Sequence, residues 1–126
     1  MGWEPISEAE IWDEINQAAG RMTVPQERFW EAIRILPEKW AQEPYGKLGG
    51  GFWAVAMLGR IVVWFNDIED GFNFSRYSTY GTIDQYFADQ DDLELVIQEL
   101  MEIVRTGYGI GGQAGPPRPG PYPDHG

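Results

Sequence analysis

Residues 49–70 read GGGFWAVAMLGRIVVWFNDIED and contain two apolar runs separated by a short turn. The runs, Phe52–Leu58 and Ile61–Phe65, are rich in the β-branched and aromatic residues that favour strands. Only Gly59-Arg60 lies between them, and Gly at the first turn position is typical of a type II′ turn, whose twist suits a hairpin. The stretch therefore predicts an antiparallel hairpin at the centre of a sheet.

Both faces of this hairpin are apolar, whereas an antiparallel sheet with one wet face shows polar residues at every second position. Side chains alternate between the two faces of a strand. In the first run, one face carries Phe52, Ala54, Ala56 and Leu58, and the other carries Trp53, Val55 and Met57. In the second run, one face carries Ile61, Val63 and Phe65, and the other carries Val62 and Trp64. We assign Trp53 and Trp64 to the same face, opposite Phe52 and Phe65.

That second face must be covered by the chain's own helices and loops, by a second copy or by a different protein. We expect a self-contained monomer in which the third helix crosses to this side, because monomers rarely expose large apolar patches. If all three helices instead pack on one face, the sequence predicts an interface.

Two N-terminal helices are indicated by start and stop signals. Ser7-Glu8-Ala9-Glu10 has the pattern of a capping box, and Gly20 marks the expected end of the first helix. Pro25 suits the first turn of the second helix, and Pro37 stops it. We expect this pair to lie on the sheet as a helical hairpin.

The rest of the chain predicts a connector, two strands and one helix. Residues 37–51 form the connector, with Trp40 as an anchor, and Phe72–Tyr77 and Thr82–Phe87 are candidate third and fourth strands. The third helix has an apolar residue at every third or fourth position from Leu93 to Val104, which is the pattern of one buried helical face. Gly107 is a natural residue to follow its end.

The sequence therefore predicts an α+β fold: an N-terminal helix pair, a central antiparallel sheet of three to four strands around the hairpin, and a C-terminal helix packed on the sheet. Residues 1–106 form one domain. Residues 107–126 contain seven Gly and five Pro and are interpreted as a disordered, flexible tail.

Composition narrows the function classes. A chain of 126 residues suits one domain, and the lack of Cys excludes disulfides, thiolate metal sites and Cys nucleophiles. No apolar run approaches the ~20 residues that span a bilayer. The acidic N-terminus lacks the basic and apolar regions of a signal peptide, so we expect a cytoplasmic protein.

The net charge of −11 opposes binding to nucleic-acid phosphates and to anionic membranes. Five acids and no Lys or Arg lie between Glu4 and Glu14, and seven acids and no Lys or Arg lie between Asp84 and Glu102. These segments are either solvated helix faces or a surface complementary to a basic protein partner.

Familiar motifs lack the context that they need. Gly107–Gly112 fits G-x-G-x-x-G, but a helix precedes it and a Pro-rich tail follows it. Gly46–Gly51 lacks the ending of a phosphate-binding loop. Asn66–Gly71 is similar to a calcium loop, but Tyr77 takes the position that requires Glu, which excludes an EF-hand. An irregular calcium or magnesium site stays open as an alternative, although we predict no metal ligand and no cofactor.

The stretch over residues 64–86, WFNDIEDGFNFSRYSTYGTIDQY, mixes acids, aromatics and one Arg, which suits a recognition surface. The candidate partner-binding residues are Asp67, Glu69, Asp70, Phe72, Arg76, Tyr77 and Tyr80. The alternative is a small enzyme or ligand-binding protein whose site is lined by Asp67, Glu69, Asp70, Arg76 and Tyr77. A purely structural interpretation, a turn with an Arg–carboxylate bridge, is favoured over acid/base chemistry.

The segments WFNDIEDGFNFSRY (residues 64–77), Tyr80-Gly81, Ile83 and Gln90-Asp91-x-Leu93 resemble a group of small, acidic, uncharacterised bacterial proteins. The resemblance covers roughly residues 50–100. In size, acidity and α+β make-up the chain is also similar to immunity proteins of bacterial toxin systems, which bind and neutralise a cognate toxin.

This similarity implies an immunity or inhibitor function, with no catalytic residue carried over. The two acidic segments without Lys or Arg indicate that the partner is a basic toxin domain. We expect the protein to be a monomer or a homodimer. A third possibility is a structural adaptor that dimerises through its apolar sheet face.

Overall fold

The computed structural model describes residues 3–107. Its elements, in chain order, are α1 (Glu8–Arg21), α2 (Val24–Ile33), β1 (Arg34–Trp40), β2 (Phe52–Leu58), β3 (Ile61–Asn66), β4 (Gly71–Arg76) and α3 (Leu93–Thr106). The strands form one antiparallel sheet in the order β1-β2-β3-β4. The predicted α+β architecture is therefore confirmed. The predicted tail, apart from Gly107, lies outside the described residues.

Capping interactions set the starts of α1 and α2. The Ser7 hydroxyl accepts a hydrogen bond from the Glu10 amide, and the Glu10 carboxylate accepts one from the Ser7 amide. Thr23 and Gln26 make the same reciprocal pair at the start of α2. Gly107 ends α3 in a left-handed conformation, with φ at 85°, as the sequence predicts. α1 continues one residue past its predicted end at Gly20.

The structure corrects two predictions about the segment before the hairpin, because this segment contains a strand, β1. The second helix ends at Ile33 rather than at Pro37, and residues 34–40 are a strand rather than helix and connector. β1 is an edge strand, and its pairing with β2 shifts register between Arg34 and Glu38. Pro37 lies inside this irregularity, between the paired residues Arg34 and Glu38, and strands tolerate Pro at edges and bulges.

The prediction of a strand over Thr82–Phe87 is also wrong. Thr82 makes only an isolated bridge with Ala41, and the residues after it have no strand structure.

The hairpin contains a β-bulge that the sequence pattern does not show. Ala54 pairs with Trp64 and Ala56 pairs with Val63, so Val55 is an extra residue on β2. The bulge exchanges the faces of the residues that follow it. Phe52 and Trp64 consequently pack together, with ring centroids 5.0 Å apart. The prediction that places Trp53 and Trp64 on one face is wrong, because Trp53 lies on the opposite side and packs against the helix-side core.

All three helices pack on one face of the sheet. This helix-side core contains Ile11 and Ile15 from α1, Trp30 and Ile33 from α2, Val55, Ala56, Val63, Phe65 and Phe72 from the sheet, and Leu93, Val96, Ile97 and Leu100 from α3. α3 does not cross to the other side, so that expectation is wrong.

The opposite face carries a second core that consists of Trp40, Phe52, Ala54, Val62, Trp64 and Ile83. It is covered by residues 77–92, which we call the crossing segment, with Tyr77 and Tyr86 packed against it. Trp64 is 0% exposed. The chain therefore covers both apolar faces of its own hairpin.

Candidate functional site

Residues 67–70, which we call the acidic turn, connect β3 to β4. The side-chain oxygen of Asn66 accepts hydrogen bonds from the amides of Ile68 and Glu69, at 3.1 and 3.2 Å. Asp70 has a positive φ of 62°, a conformation that Asp tolerates better than most residues. Asn66 therefore fixes the acidic turn, and three of the candidate residues, Asp67, Glu69 and Asp70, lie on it.

Asp67 binds the N-terminal segment. Its Oδ2 accepts a hydrogen bond from the Ile6 amide at 2.8 Å, and its backbone carbonyl accepts one from the indole N–H of Trp3 at 2.9 Å. The indole of Trp53 donates to the Ile6 carbonyl at 3.0 Å. Burial lowers the pKa of Lys39, and the charge of Asp67 partly offsets this effect. Asp67 thus holds residues 3–6 against the sheet.

The other candidate residues lie apart from the acidic turn. Tyr77 donates from its hydroxyl to the Gly59 carbonyl and from its amide to the Arg60 carbonyl, at the hairpin end of the sheet. Strands rise about 3.3 Å per residue, so β4 places Arg76 about 17 Å from Gly71. The five residues of the alternative enzyme site therefore do not converge.

Phe72 belongs to the interior. It is 3% exposed and packs on Phe65 with ring centroids 4.8 Å apart in the helix-side core. Phe72 is therefore the one residue of the seven candidate partner-binding residues that lies in the interior.

Trp40, Tyr77 and Tyr80 form an aromatic group on the side of the sheet that the crossing segment covers. Glu38 accepts hydrogen bonds from the Trp40 indole, at 2.9 Å, and from the Tyr80 hydroxyl. The hydrogen bond to Glu38 raises the pKa of Tyr80 above its ordinary value. Tyr77 and Tyr80 both contact the Trp40 ring, at centroid distances of 5.0 and 4.8 Å. Sequence reasoning misses Glu38, because this residue falls in the segment that the sequence predicts to be a connector.

Three buried polar residues attach the crossing segment to the sheet. Asn66 donates to the Phe87 carbonyl at 3.0 Å and to the Tyr86 hydroxyl at 2.9 Å. Ser75 donates to the Gln85 carbonyl at 2.7 Å and accepts from the Trp64 indole at 2.9 Å. Asn73 bonds to the backbone of Asp89. We call Asn66, Asn73 and Ser75 the polar anchors.

The polar anchors explain much of the motif in residues 64–77. They are polar residues inside otherwise apolar strands, and this contrast is the feature of the sequence that could have identified them. Gly71 adds a steric requirement, because a Cβ there would lie 2.3 Å from Gln90 Cα and 2.4 Å from the Asp89 carbonyl oxygen. These residues therefore build the fold around the crossing segment.

Acids from three distant stretches of sequence meet at one end of the sheet. Burial raises the pKa of Glu14, and the charges of Asp70, Asp92 and Asp13 raise it further, while Arg21 lowers it. Burial also raises the pKa of Asp91, with Asp89 and Asp92 adding to the effect. We call the group the acidic surface; it consists of Asp13, Glu14, Asp70, Asp89, Asp91 and Asp92.

One cation borders the acidic surface. Arg21 Nε lies 2.6 Å from Glu94 Oε2, and the guanidinium lies 4.0 Å from Asp92 Oδ1. Glu94 thus takes the close contact with Arg21. Asp13, Asp70 and Asp92 are exposed, so their carboxylates are accessible from solvent.

A cavity of about 400 Å³ lies elsewhere, and none of the seven candidates lines it. Its lining includes Lys39, Gln42, Lys47 and Gly81. Within residues 3–107, no group of three or more His, Asp or Glu side chains is arranged to hold a metal ion. The helices in this range are all too short or too polar to cross a membrane.

Comparison with known proteins finds no matching family model, no matching curated protein and no matching solved structure.

Proposed function

We propose that this protein binds a basic protein, as an immunity or inhibitor protein binds the toxin that it neutralises. The observation that carries the proposal is the acidic surface. Its residues come from α1, from the acidic turn and from the end of the crossing segment, and their charges act on one another. A basic toxin domain, such as a nuclease, is the partner that fits.

The electrostatics of the acidic surface favour a cationic partner. Like charges at short range disfavour one another's ionised forms, which is one reason why the pKa values of Glu14 and Asp91 are raised. A basic surface placed against them relieves this repulsion. The net charge of −11 adds a long-range attraction that raises the association rate.

The aromatic group offers a second contact region in this proposal. Tyr80 is 61% exposed, and tyrosines frequently contribute strongly to protein interfaces. Arg76, Tyr77 and Tyr80 are retained as proposed contacts there. Asp67 and Glu69, which lie on the acidic turn with Asp70, are retained as proposed contacts beside the acidic surface.

The proposal includes a monomer acting in the cytoplasm. The monomer is supported by the crossing segment, which covers the apolar face that a dimer would otherwise bury.

The alternative of a small enzyme or ligand-binding protein has less support. Asp67, Glu69 and Asp70 precede β4, whereas Arg76 ends it and Tyr77 follows it. These residues therefore do not line one pocket.

Co-expression with the product of the adjacent gene tests the proposal. We expect a complex that is retained at about 50 mM salt and is weakened as added salt screens the charges. We also expect growth to be restored where the neighbouring product alone is toxic. If the neighbouring product neither binds at low salt nor loses toxicity, the proposal is contradicted.

A further inference from the structure

Glu99 is a buried carboxyl on α3. The residue is 8% exposed, and its Oε1 is inaccessible and has no hydrogen-bond partner among the described residues. Its helix neighbours Val96 and Leu100 belong to the helix-side core. A carboxylate in such a place loses hydration without gaining a compensating hydrogen bond.

The charged groups that act on Glu99 are both acids. They are Asp91 and Asp89, at the end of the crossing segment. Two cations close to α3 are engaged with other acids: Arg21 of α1 binds Glu94, and Arg105 of α3 binds Glu102.

α1, α2 and β4 also pack against α3. Glu14 of α1 interacts with Asp70, Asp92 and Asp13, and α2 reaches α3 through a hydrogen bond from Gln26 to Gln98. β4 packs on α3 through Phe72, which does not titrate.

The same two acids belong to the segment that is attached to β4. The Phe72 amide donates to the Asp91 carbonyl at 2.9 Å, and the Asp89 amide donates to Asn73 at 3.0 Å. Ionised Glu99 would therefore repel the residues that these hydrogen bonds hold in place.

We propose that Glu99 is a proton-controlled latch, protonated while residues 89–91 are attached to β4 and ionised when they are released. This inference does not rest on the proposed function. It links the pH of the surroundings to the placement of Asp89 and Asp91, two members of the acidic surface.

The direction of the effect follows from the titration of Glu99. Burial, with Asp91 and Asp89, raises its pKa from the ordinary 4.5 to about 7. An acid with a raised pKa in the folded state stabilises that state least at high pH. The attached state is therefore fully favoured below about pH 4.5 and is weakened as the pH rises towards 7, with no further loss well above that value.

Two measurements on the full chain test the latch. The first is a carbon-detected NMR titration of the Glu99 carboxyl, for which we expect an apparent pKa near 7. The second is amide hydrogen exchange at Phe72 and Asp89, corrected for the intrinsic effect of pH. Between pH 6 and pH 8 we expect protection at these amides to fall about tenfold, because release restores the ordinary pKa.

The variant Glu99→Gln should keep the same protection at both pH values. Glu102→Gln, one turn further along α3, is the matched control and should behave as the unaltered chain does. A Glu99 titration near pH 4.5 overturns the latch, as does an equal loss of protection in Glu99→Gln and the unaltered chain. If Glu99→Gln fails to fold, the titration of the unaltered chain still decides.

Discussion

Asn73 and Asp89 exchange two hydrogen bonds: the Asn73 amide donates to the Asp89 carbonyl at 3.2 Å, and the Asp89 amide donates to the Asn73 side-chain oxygen at 3.0 Å. Asn73 is 1% exposed, so these bonds satisfy a buried polar group. The pair fixes the point where the crossing segment meets β4. The position of the acidic surface depends on it, because Asp89, Asp91 and Asp92 follow one another there.

Removing this pair should destabilise the protein. Asn73→Ala removes both hydrogen bonds to the Asp89 backbone and should reduce the free energy of unfolding by about 1–3 kcal/mol. Urea denaturation measures the change. Gln90→Ala, at an exposed position of the same segment, should change the free energy by less than about 0.5 kcal/mol. Equal effects of the two substitutions would contradict the role given to Asn73.

Gly71 should not tolerate a side chain. Gly71→Ala forces a Cβ into the backbone of Asp89 and Gln90 and should reduce the free energy of unfolding by about 1–3 kcal/mol. The matched control is Gly20→Ala, whose Cβ would meet nothing within 4 Å on α1 and which should stabilise by about 0.5–1 kcal/mol. Thermal denaturation of both variants gives the comparison, and a neutral Gly71→Ala would mean that the crossing segment is displaced easily.

Trp64 tests how the second face is covered. The side chain is fully buried between the sheet and the crossing segment, so Trp64→Ala should cost about 3–5 kcal/mol of unfolding free energy. Leu48→Ala, at a position that is 89% exposed, should be nearly neutral. In chemical denaturation, a loss below about 1 kcal/mol with an unchanged slope would identify Trp64 as a surface residue and its face as an interface.

Asp67 should act mainly on the N-terminal segment. Asp67→Ala removes the acceptor of the Ile6 amide and should cost about 1–3 kcal/mol, since hydrogen bonds to charged groups are among the stronger ones. Trp3 should become more exposed, which limited proteolysis near the N-terminus and tryptophan fluorescence would detect. If Glu69→Ala produces the same release, the effect belongs to the acidic turn as a whole.

Parts of the fold were predictable because their signals are local. The capping box at Ser7–Glu10, the turn at Gly59-Arg60 and the apolar stripe of α3 each depend on residues a few positions apart. β1 was missed because it follows α2 without a break and contains Pro37. Its strand structure comes from pairing with β2, which local patterns do not report.

The bulge at Val55 was invisible for a different reason. Both Val55 and Ala56 are apolar, so the register shift leaves no polar residue out of place. The assignment of Trp53 and Trp64 to faces failed for this reason alone.

The site was partly predictable. The two acidic segments and the acidic turn could be seen in the sequence, but their convergence depends on the path of the crossing segment. The candidate residues from Asp67 to Tyr80 are close in sequence and yet are divided, because an extended strand separates its two ends by the greatest distance.

The acidic surface is tested most directly by the affinity for the partner that co-expression identifies. The triple variant Asp13→Asn, Asp70→Asn and Asp92→Asn removes three exposed charges, and Asn tolerates both the positive φ at position 70 and the N-cap position at 92. The matched control, Glu27→Gln, Glu31→Gln and Glu43→Gln, removes three exposed charges elsewhere. At low salt, the triple variant should bind at least about tenfold more weakly, mainly through slower association, while the control stays within about twofold of the unaltered protein. Equal affinities of the two variants would contradict the acidic surface as the binding site.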